Sequence, residues 1–161
     1  MKNNPSDTEI LPPAPKRKRP KKRKSNQPEM LWRHVEITSF CPTMRLHAIH
    51  HKGDDPYLEA EPWLELRGKA LEPLKGVTEV RISMWARDDV KCGTARPASV
   101  GSVLGAKPEL SFGLTWPRRE FGQVWTLALS GHLKYARITF TKPHYNSALV
   151  TNASFSNEIE E

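Results

Sequence analysis

The sequence predicts a mainly β protein: an antiparallel sandwich or curled sheet of six to seven strands, with one amphipathic helix near residues 117–130. Several stretches alternate apolar and polar residues with the two-residue period of a strand buried on one face. Only one stretch has helical periodicity, and helices do not alternate with strands as they do in a doubly wound sheet. Before residue 29 the composition changes to proline and basic residues.

Residues 1–28 are predicted to be a disordered, proline-rich basic arm, and residues 29–161 a single β-rich globular domain. The arm holds six of the 14 prolines, and apart from Met1 its only aliphatic side chains larger than alanine are Ile10 and Leu11. Such a segment cannot bury enough apolar surface to offset an ordering cost of about 1–2 kcal/mol per residue.

The formal net charge of +7 comes from this arm. Residues 1–28 contain nine of the 25 basic residues and two of the 18 acidic residues, so the remaining residues hold 16 of each. We therefore expect any charge-driven contact with a polyanion at the arm. Its cations are concentrated in one run, which we call the basic run: Lys16, Arg17, Lys18, Arg19, Lys21, Lys22, Arg23 and Lys24.

Three interpretations of the basic run stay open. It is suited to nucleic-acid binding that does not read sequence, because phosphates carry no base information. Residues 16–19 and 21–24 resemble monopartite nuclear-localisation signals, which would make an import receptor the partner. The third interpretation is a solubilising tail. Residues 17–20 are also similar to the Arg-Gly-Arg-Pro core of the AT-hook, but Lys18 replaces the glycine that lets that motif enter the minor groove.

The domain is predicted to begin with two strands. Residues 32–40 are rich in β-branched and aromatic residues, and Pro42 is predicted to end this first strand. Residues 44–51 form a weaker second strand, and residues 52–56 a turn containing glycine, aspartate and proline.

Two clearer strands follow at residues 63–70 and 79–87, with a turn at 73–76. Their even-numbered residues are mostly small or apolar, so the strands are expected to pair antiparallel with one face buried. Arginines and aromatic residues on an open sheet are how several modules hold single-stranded nucleic acid. The exposed face is therefore a possible secondary binding face: Trp63, Arg67, Arg81, Trp85 and Arg87. Alternatively, the helix or a loop covers this face and Trp85 belongs to the core.

The second half of the domain is predicted to contain a loop, three strands and the helix. Residues 88–108 show no sustained periodicity and are predicted to form a long loop. Strands are predicted at residues 110–116, 134–141 and 148–155. The helix between them has one apolar face, with Pro117 at its first position and Gly131 just beyond its end. The apolar face comprises Phe121, Val124, Trp125, Ala128 and Leu129.

No enzyme, cofactor or metal site is predicted from the sequence, and an enzyme that uses the 88–108 loop stays a third alternative. Cys41 and Cys92 lack CxxC spacing, and we expect two reduced thiols. His47, His50 and His51 lie close together but not at a known zinc spacing, so surface histidines are the simpler interpretation. The sequence contains neither a nucleophile motif nor a phosphate-binding glycine loop.

The sequence therefore predicts a non-enzymatic binding protein, with a cationic arm for electrostatic nucleic-acid contact and a neutral β-rich interaction domain. The alternative is a protein-interaction domain or adaptor whose arm serves only as a nuclear-localisation signal. A signal peptide and an apolar run of about 20 residues are both lacking, so no membrane partner is expected. We expect the protein in the cytoplasm, or in the nucleus where the cell has one.

Overall fold

Seven strands close into a barrel in the computed structural model, which describes residues 28–50, 53, 55–88, 98–145 and 147–159. Around the barrel the strand order is β1-β2-β3-β5-β4-β7-β6, and β6 pairs with β1. The predicted mainly β fold of six to seven strands with one helix is confirmed: the structure has seven strands. The elements are β1 Met30–Ile49, β2 Tyr57–Leu74, β3 Val77–Arg87, β4 Gly101–Gly105, β5 Leu110–Pro117, α1 Arg118–Leu129, β6 Tyr135–Thr141 and β7 Ala148–Ser156.

One pair of neighbouring strands, β3 and β5, is parallel, and the other pairs in the described residues are antiparallel. A parallel pair needs a long connection between its two strands. Here that connection contains β4, which lies beside β5 on the side away from β3. Closure into a barrel then leaves each barrel strand with a neighbour on both sides.

The barrel interior is filled by large apolar side chains from all sides. The even-numbered residues of β2 and β3 point inward, as the alternation predicted. Phe112 and Phe140 meet edge to face, with ring centroids 5.4 Å apart. Burial of each such side chain stabilises the fold by about 1.5–3 kcal/mol. The largest fully buried side chains are Phe112, Phe121, Phe140, Leu64, Leu66, Ile82, Met84, Leu110, Leu114, Ile138, Val35 and Val103.

The helix α1 packs on the barrel through the predicted apolar face, burying Phe121, Val124 and Ala128. Leu129 is the exception on that face, since it is exposed. The helix begins after Pro117, so the prediction of Pro117 as its first helical residue was wrong. Pro117 has an extended ψ of 136° and still pairs with Arg87 at the end of β5. Among the described residues, no helix is long and apolar enough to cross a membrane.

The helix ends at Leu129, and Gly131 lies just beyond its end as predicted. Gly131 has a φ of +71°, which glycine adopts without strain. Its N–H donates to the carbonyl of Ala128, and the N–H of His132 donates to that of Leu127, both at 3.0 Å. This is the Schellman arrangement, which satisfies the last carbonyls of the helix and turns the chain toward β6.

β1 is one strand of 20 residues where the sequence predicted two, at 32–40 and 44–51. Pro42 was wrongly interpreted as the end of a strand. At Pro42 the described residues give β1 a neighbour on one side only, β2. A proline is tolerated on such an edge because its missing N–H can face away from the partner strand.

Beyond the barrel, β1 and β2 continue as a two-stranded ribbon, residues 38–49 and 57–62. β6 pairs with β1 only up to Glu36, and β3 pairs with β2 only from Trp63 onward. The ribbon strands therefore pair only with each other within the described residues. The predicted turn at 52–56 lies at the ribbon tip, where residues 51, 52 and 54 fall outside the described part of the chain.

Arg118, the first residue of α1, ties the base of the ribbon to the barrel. Its Nε donates to a carboxylate oxygen of Asp88 at 2.7 Å, and its Nη1 donates to the carbonyl of Ala60 at 3.1 Å. One side chain thus joins the start of the helix, the end of β3 and the ribbon.

A β-bulge marks the point where β1 leaves the barrel. The register between β1 and β2 shifts between Ile37 and Ser39. Gly68 lies opposite Ile37, and a Cβ there would lie 2.1 Å from the carbonyl oxygen of Glu36. The bulge and the close approach of the two backbones therefore require glycine at position 68.

β4 lies inside the predicted loop at 88–108, so that prediction was wrong for residues 101–105. Within this short strand only Val103 is fully buried, and glycines stand at both ends. Five residues with one core side chain are too few to show an alternating pattern. Residues 89–97 lie outside the described residues, as do residues 1–27 of the predicted disordered arm.

We expect Gly68→Ala to destabilise the barrel and Gly122→Ala to stabilise it. The first substitution forces a Cβ into the backbone of β1, and overpacking of this kind costs about 1–3 kcal/mol or more. Gly122 lies in α1 with open space around its Cβ position, so alanine should add about 0.5–1 kcal/mol. Urea unfolding of both variants measures the difference. Equal midpoints for the two variants would contradict the close approach at Gly68.

Candidate binding face

Two tryptophans stack on the outer face of the barrel, which is the face that the alternation of β2 and β3 predicts for them. Trp63 and Trp85 are directly opposite one another across the strand pair. Their ring centroids are 5.4 Å apart and their planes are inclined by 18°. Both are partly exposed, and neither belongs to the core cluster. Residues 89–97 of the loop that could cover this face lie outside the described residues.

Arg45 extends this stack onto β1. Its guanidinium carbon lies 4.3 Å from the centroid of the Trp63 ring. A cation over an aromatic face contributes about 0.5–1 kcal/mol at an exposed site. Arg45, Trp63 and Trp85 thus form three stacked layers across β1, β2 and β3, which we call the tryptophan platform. Both faces of Trp63 are covered, by Arg45 on one side and Trp85 on the other.

At the Trp85 end, the platform lies close to Gly113 of β5 and Leu104 of β4. A Cβ at Gly113 would lie 3.1 Å from the Cη2 atom of Trp85 and 3.1 Å from Cδ1 of Leu104. The indole of Trp85 therefore lies close against the backbone of β5, and a side chain at Gly113 would require Trp85 or Leu104 to shift by a few tenths of an ångström. Leu104 is 60% exposed and borders the platform.

The predicted arginines share this outer face, but two of them are paired with acids. Arg67 contacts Glu65 at 2.8 Å, and Arg81 contacts Glu109 at 2.7 Å. The hydrogen bond that the Arg67 guanidinium donates to Glu65, together with the negative charge of Glu65, raises the pKa of Arg67 above its usual value. These pairs are solvent-exposed and add little to stability. They do reduce the positive charge that the barrel offers to a phosphate.

Arg87 lies apart from the platform, at the end of β3. It lines a cleft of about 840 Å³ between the ribbon and the barrel. On the ribbon side, His47 contacts Glu61 at 3.3 Å, and Tyr57 and Glu59 also line the cleft. The lining also includes Asp88, so three carboxylates face one guanidinium and the cleft does not favour an anion.

The histidines that lie close together in the sequence do not form a metal site within the described part of the chain. His47 pairs with Glu61, and Cys41 is a free thiol on the exposed part of β1. Among residues 28–50, 53, 55–88, 98–145 and 147–159, no group of three or more His, Cys, Asp or Glu side chains is arranged to hold a metal ion. His51 and Cys92 lie outside these ranges.

The structure brings together Trp63, Arg67, Arg81 and Trp85 on one face, as predicted, and adds Arg45, Gly113 and Leu104. Sequence reasoning missed Arg45 because its position depends on the register between β1 and β2. The residues of the basic run lie outside the described part of the chain, so their prediction stays a prediction: Lys16, Arg17, Lys18, Arg19, Lys21, Lys22, Arg23 and Lys24.

Comparisons with protein-family models, with curated proteins and with solved structures found no match to this chain.

The tryptophan platform should give a far-ultraviolet circular dichroism couplet, because two indoles stacked at this distance couple their electronic transitions. We expect Trp63→Leu and Trp85→Leu each to remove the couplet, since either substitution removes one of the two partners. Trp125→Leu is the matched control, because Trp125 packs against Phe121 and not against another tryptophan. A couplet that persists in Trp63→Leu would show that the two rings do not stack in solution.

Proposed function

We propose that this chain is a non-enzymatic nucleic-acid-binding protein, in which the basic run contacts phosphates and the barrel serves as a neutral interaction domain. The observation that carries the proposal is the segregation of charge. The basic run has eight cations and no acid within nine residues, whereas residues 29–161 hold equal numbers of both signs. Several cations of the barrel pair with acids, as Arg67 does with Glu65, Arg81 with Glu109 and Lys142 with Glu29.

Eight cations on one segment supply affinity without sequence preference. Each neutralised phosphate releases condensed counterions, so binding weakens steeply as salt rises. Contacts of this kind fix position on the nucleic acid and carry no base information. The proposed partner is therefore nucleic acid of any sequence.

The tryptophan platform is the proposed secondary contact, for an unpaired base. A base can stack on Trp63 only by displacing Arg45. That displacement gives up about 0.5–1 kcal/mol, while stacking of a base on an aromatic ring contributes about 1–3 kcal/mol. The exchange favours the base, and it releases the Arg45 guanidinium to contact the adjacent phosphate.

A second candidate is a protein-interaction domain whose basic run is a nuclear-localisation signal. The observation that favours it is the exposed apolar surface of the ribbon. Met44, Leu46 and Leu58 are 62%, 66% and 68% exposed. Exposed apolar patches of this kind mark surfaces that other proteins cover.

Binding to random duplex DNA and to single-stranded RNA, measured against salt, tests the nucleic-acid proposal. For the whole chain on duplex DNA we expect the logarithm of the binding constant to fall with a slope of about −7 if all eight cations engage. A variant with all eight replaced by serine should lose most of this affinity. Unlike a truncation, it keeps the chain length. Trp63→Ala should weaken binding to single strands and leave duplex binding unchanged.

Two results would count against this proposal. Lack of binding to either nucleic acid near 0.1 M salt would exclude it. Equal binding by the serine variant would remove the basic run from the interface and shift the proposal to the barrel.

A reporter protein fused to residues 1–28 tests the second candidate in a nucleated cell. We expect nuclear accumulation, because residues 16–19 and 21–24 both have the composition that import receptors recognise. The matched control carries the same eight serine substitutions and should distribute evenly. An even distribution of the unsubstituted fusion would contradict the import role.

A further inference from the structure

Three connections meet at the end of the barrel where β1 begins. They are the turn between β2 and β3, the turn between β4 and β5, and the connection between β6 and β7. Between them lies a pocket of about 460 Å³, which is within the size range of small-ligand sites. We call it the end pocket, and its lining residues are Leu74, Lys75, Ala106, Lys107, Pro143 and Tyr145.

The end pocket is cationic, unlike the cleft beside the ribbon. Lys75 and Lys107 line it, and no acid does. Within the described part of the chain, neither lysine is in an ion pair. The acid nearest to Lys107 in the sequence is Glu109, which pairs instead with Arg81 at 2.7 Å. Two ammonium groups beside one pocket favour an anion as its ligand.

Lys75 has a backbone conformation that lysine does not favour. Leu74 pairs with Val77, so Lys75 and Gly76 form a two-residue hairpin turn, and their φ angles are +51° and +82°. Positive φ at both central residues is the type I′ turn, in which asparagine, aspartate or glycine usually takes the first position. Lysine is strained there, because its Cβ approaches the following carbonyl oxygen. The stability of the turn therefore does not account for a lysine at position 75.

Tyr145 is the only other described non-glycine residue with a positive φ, which is +51°, and it lines the same pocket. Its side chain is 92% exposed. The ring of His144 meets it edge to face, with centroids 4.2 Å apart, and backbone hydrogen bonds between His144 and Ser147 close the connection. Strained residues concentrate at ligand sites, where a side chain serves contact rather than stability.

We propose that the end pocket binds one unpaired nucleotide of the nucleic acid, an inference that rests on the proposed function. Lys75 and Lys107 contact the phosphate, and the ring of Tyr145 stacks on the base. Ammonium groups form strong charge-assisted hydrogen bonds with phosphate, and an exposed aromatic ring offers a stacking surface to any base. A base within a duplex is already stacked on both faces, so the end pocket selects single strands.

The sequence places the end of the basic run near the end pocket. Glu29, just before β1, accepts a backbone hydrogen bond from Lys142 at 2.7 Å. Lys24, the last residue of the basic run, precedes Glu29 by five positions. Five residues span at most about 17 Å, so Lys24 is confined to this end of the barrel. One single strand can therefore contact the basic run and the end pocket together.

Binding of a thymidine oligonucleotide of about 12 nucleotides, compared with binding of duplex DNA, tests the proposal. We expect Lys75→Asn to weaken single-strand binding about fivefold near 0.1 M salt and to reduce the salt slope by about 0.7, the contribution of one phosphate contact. Duplex binding should not change, because a duplex offers no unpaired nucleotide. The same substitution should raise the urea unfolding midpoint, because asparagine suits a type I′ turn better than lysine does.

Lys134→Asn is the matched control for this substitution. Lys134 is exposed and precedes β6, the far end of which borders the end pocket. The control removes the same charge at the opposite end of the barrel. It should leave single-strand affinity and the urea midpoint as they are in wild type.

Tyr145 gives a second readout that does not involve charge. Asparagine tolerates the positive φ at this position but lacks the ring. We therefore expect Tyr145→Asn to weaken single-strand binding about fivefold or more and to leave the salt slope unchanged. Tyr145→Phe keeps the ring and should bind as wild type does.

The outcomes separate this proposal from the one on which it rests. A whole chain that binds neither nucleic acid near 0.1 M salt overturns both. Single-strand binding that is as tight in Lys75→Asn and Tyr145→Asn as in Lys134→Asn overturns the end pocket alone. An equal loss of duplex binding in Lys75→Asn would do so as well, since loss of charge would then account for the effect.

Discussion

The bulge between Ile37 and Ser39 determines which side chains of β1 face inward and which face outward along the ribbon. Before it, the odd-numbered Val35 of β1 points into the core. After it, the even-numbered residues share a face with the core leucines of β2. A shift of one residue in register moves a whole strand's side chains to the opposite face. Without this bulge the apolar residues of the ribbon would lie outward, and Arg45 would point away from Trp63.

The same bulge explains what sequence reasoning missed in β1. Val35 and Ile37 occupy odd positions, whereas the apolar side chains from Phe40 to Ala48 stand at even positions, so the phase of the pattern changes once. Two strands were predicted because of Pro42, and the change of phase was not recognised as a bulge within one strand. The alternation within β2 and within β3 has no such break, which is why their buried and exposed faces were predicted correctly. β4 contributes one core side chain, too little for any periodic signal.

The residues of the candidate face also fall into two groups, those that local alternation predicts and those that long-range strand pairing brings in. Trp63, Arg67, Arg81 and Trp85 were predictable because their positions depend only on local alternation and on one short turn. Arg45 depends on the β1–β2 register, and the pairing of Arg81 with Glu109 depends on the parallel contact between β3 and β5. Interactions between residues far apart in sequence leave no mark on a local pattern. The acids that reduce the charge of this face could therefore not be assigned from the sequence.

A long ribbon with an apolar face and open edges is prone to aggregation, and two prolines in this ribbon reduce that tendency. Open strand edges carry unpaired N–H and C=O groups that can recruit further strands into fibrils. Pro42 interrupts the edge of β1, and Pro62 stands on β2 where pairing with β3 ends. Neither residue can donate a ladder hydrogen bond. Growth of the sheet by edge-to-edge addition is thereby disfavoured on both sides, and the folded protein can expose this ribbon without seeding its own aggregation.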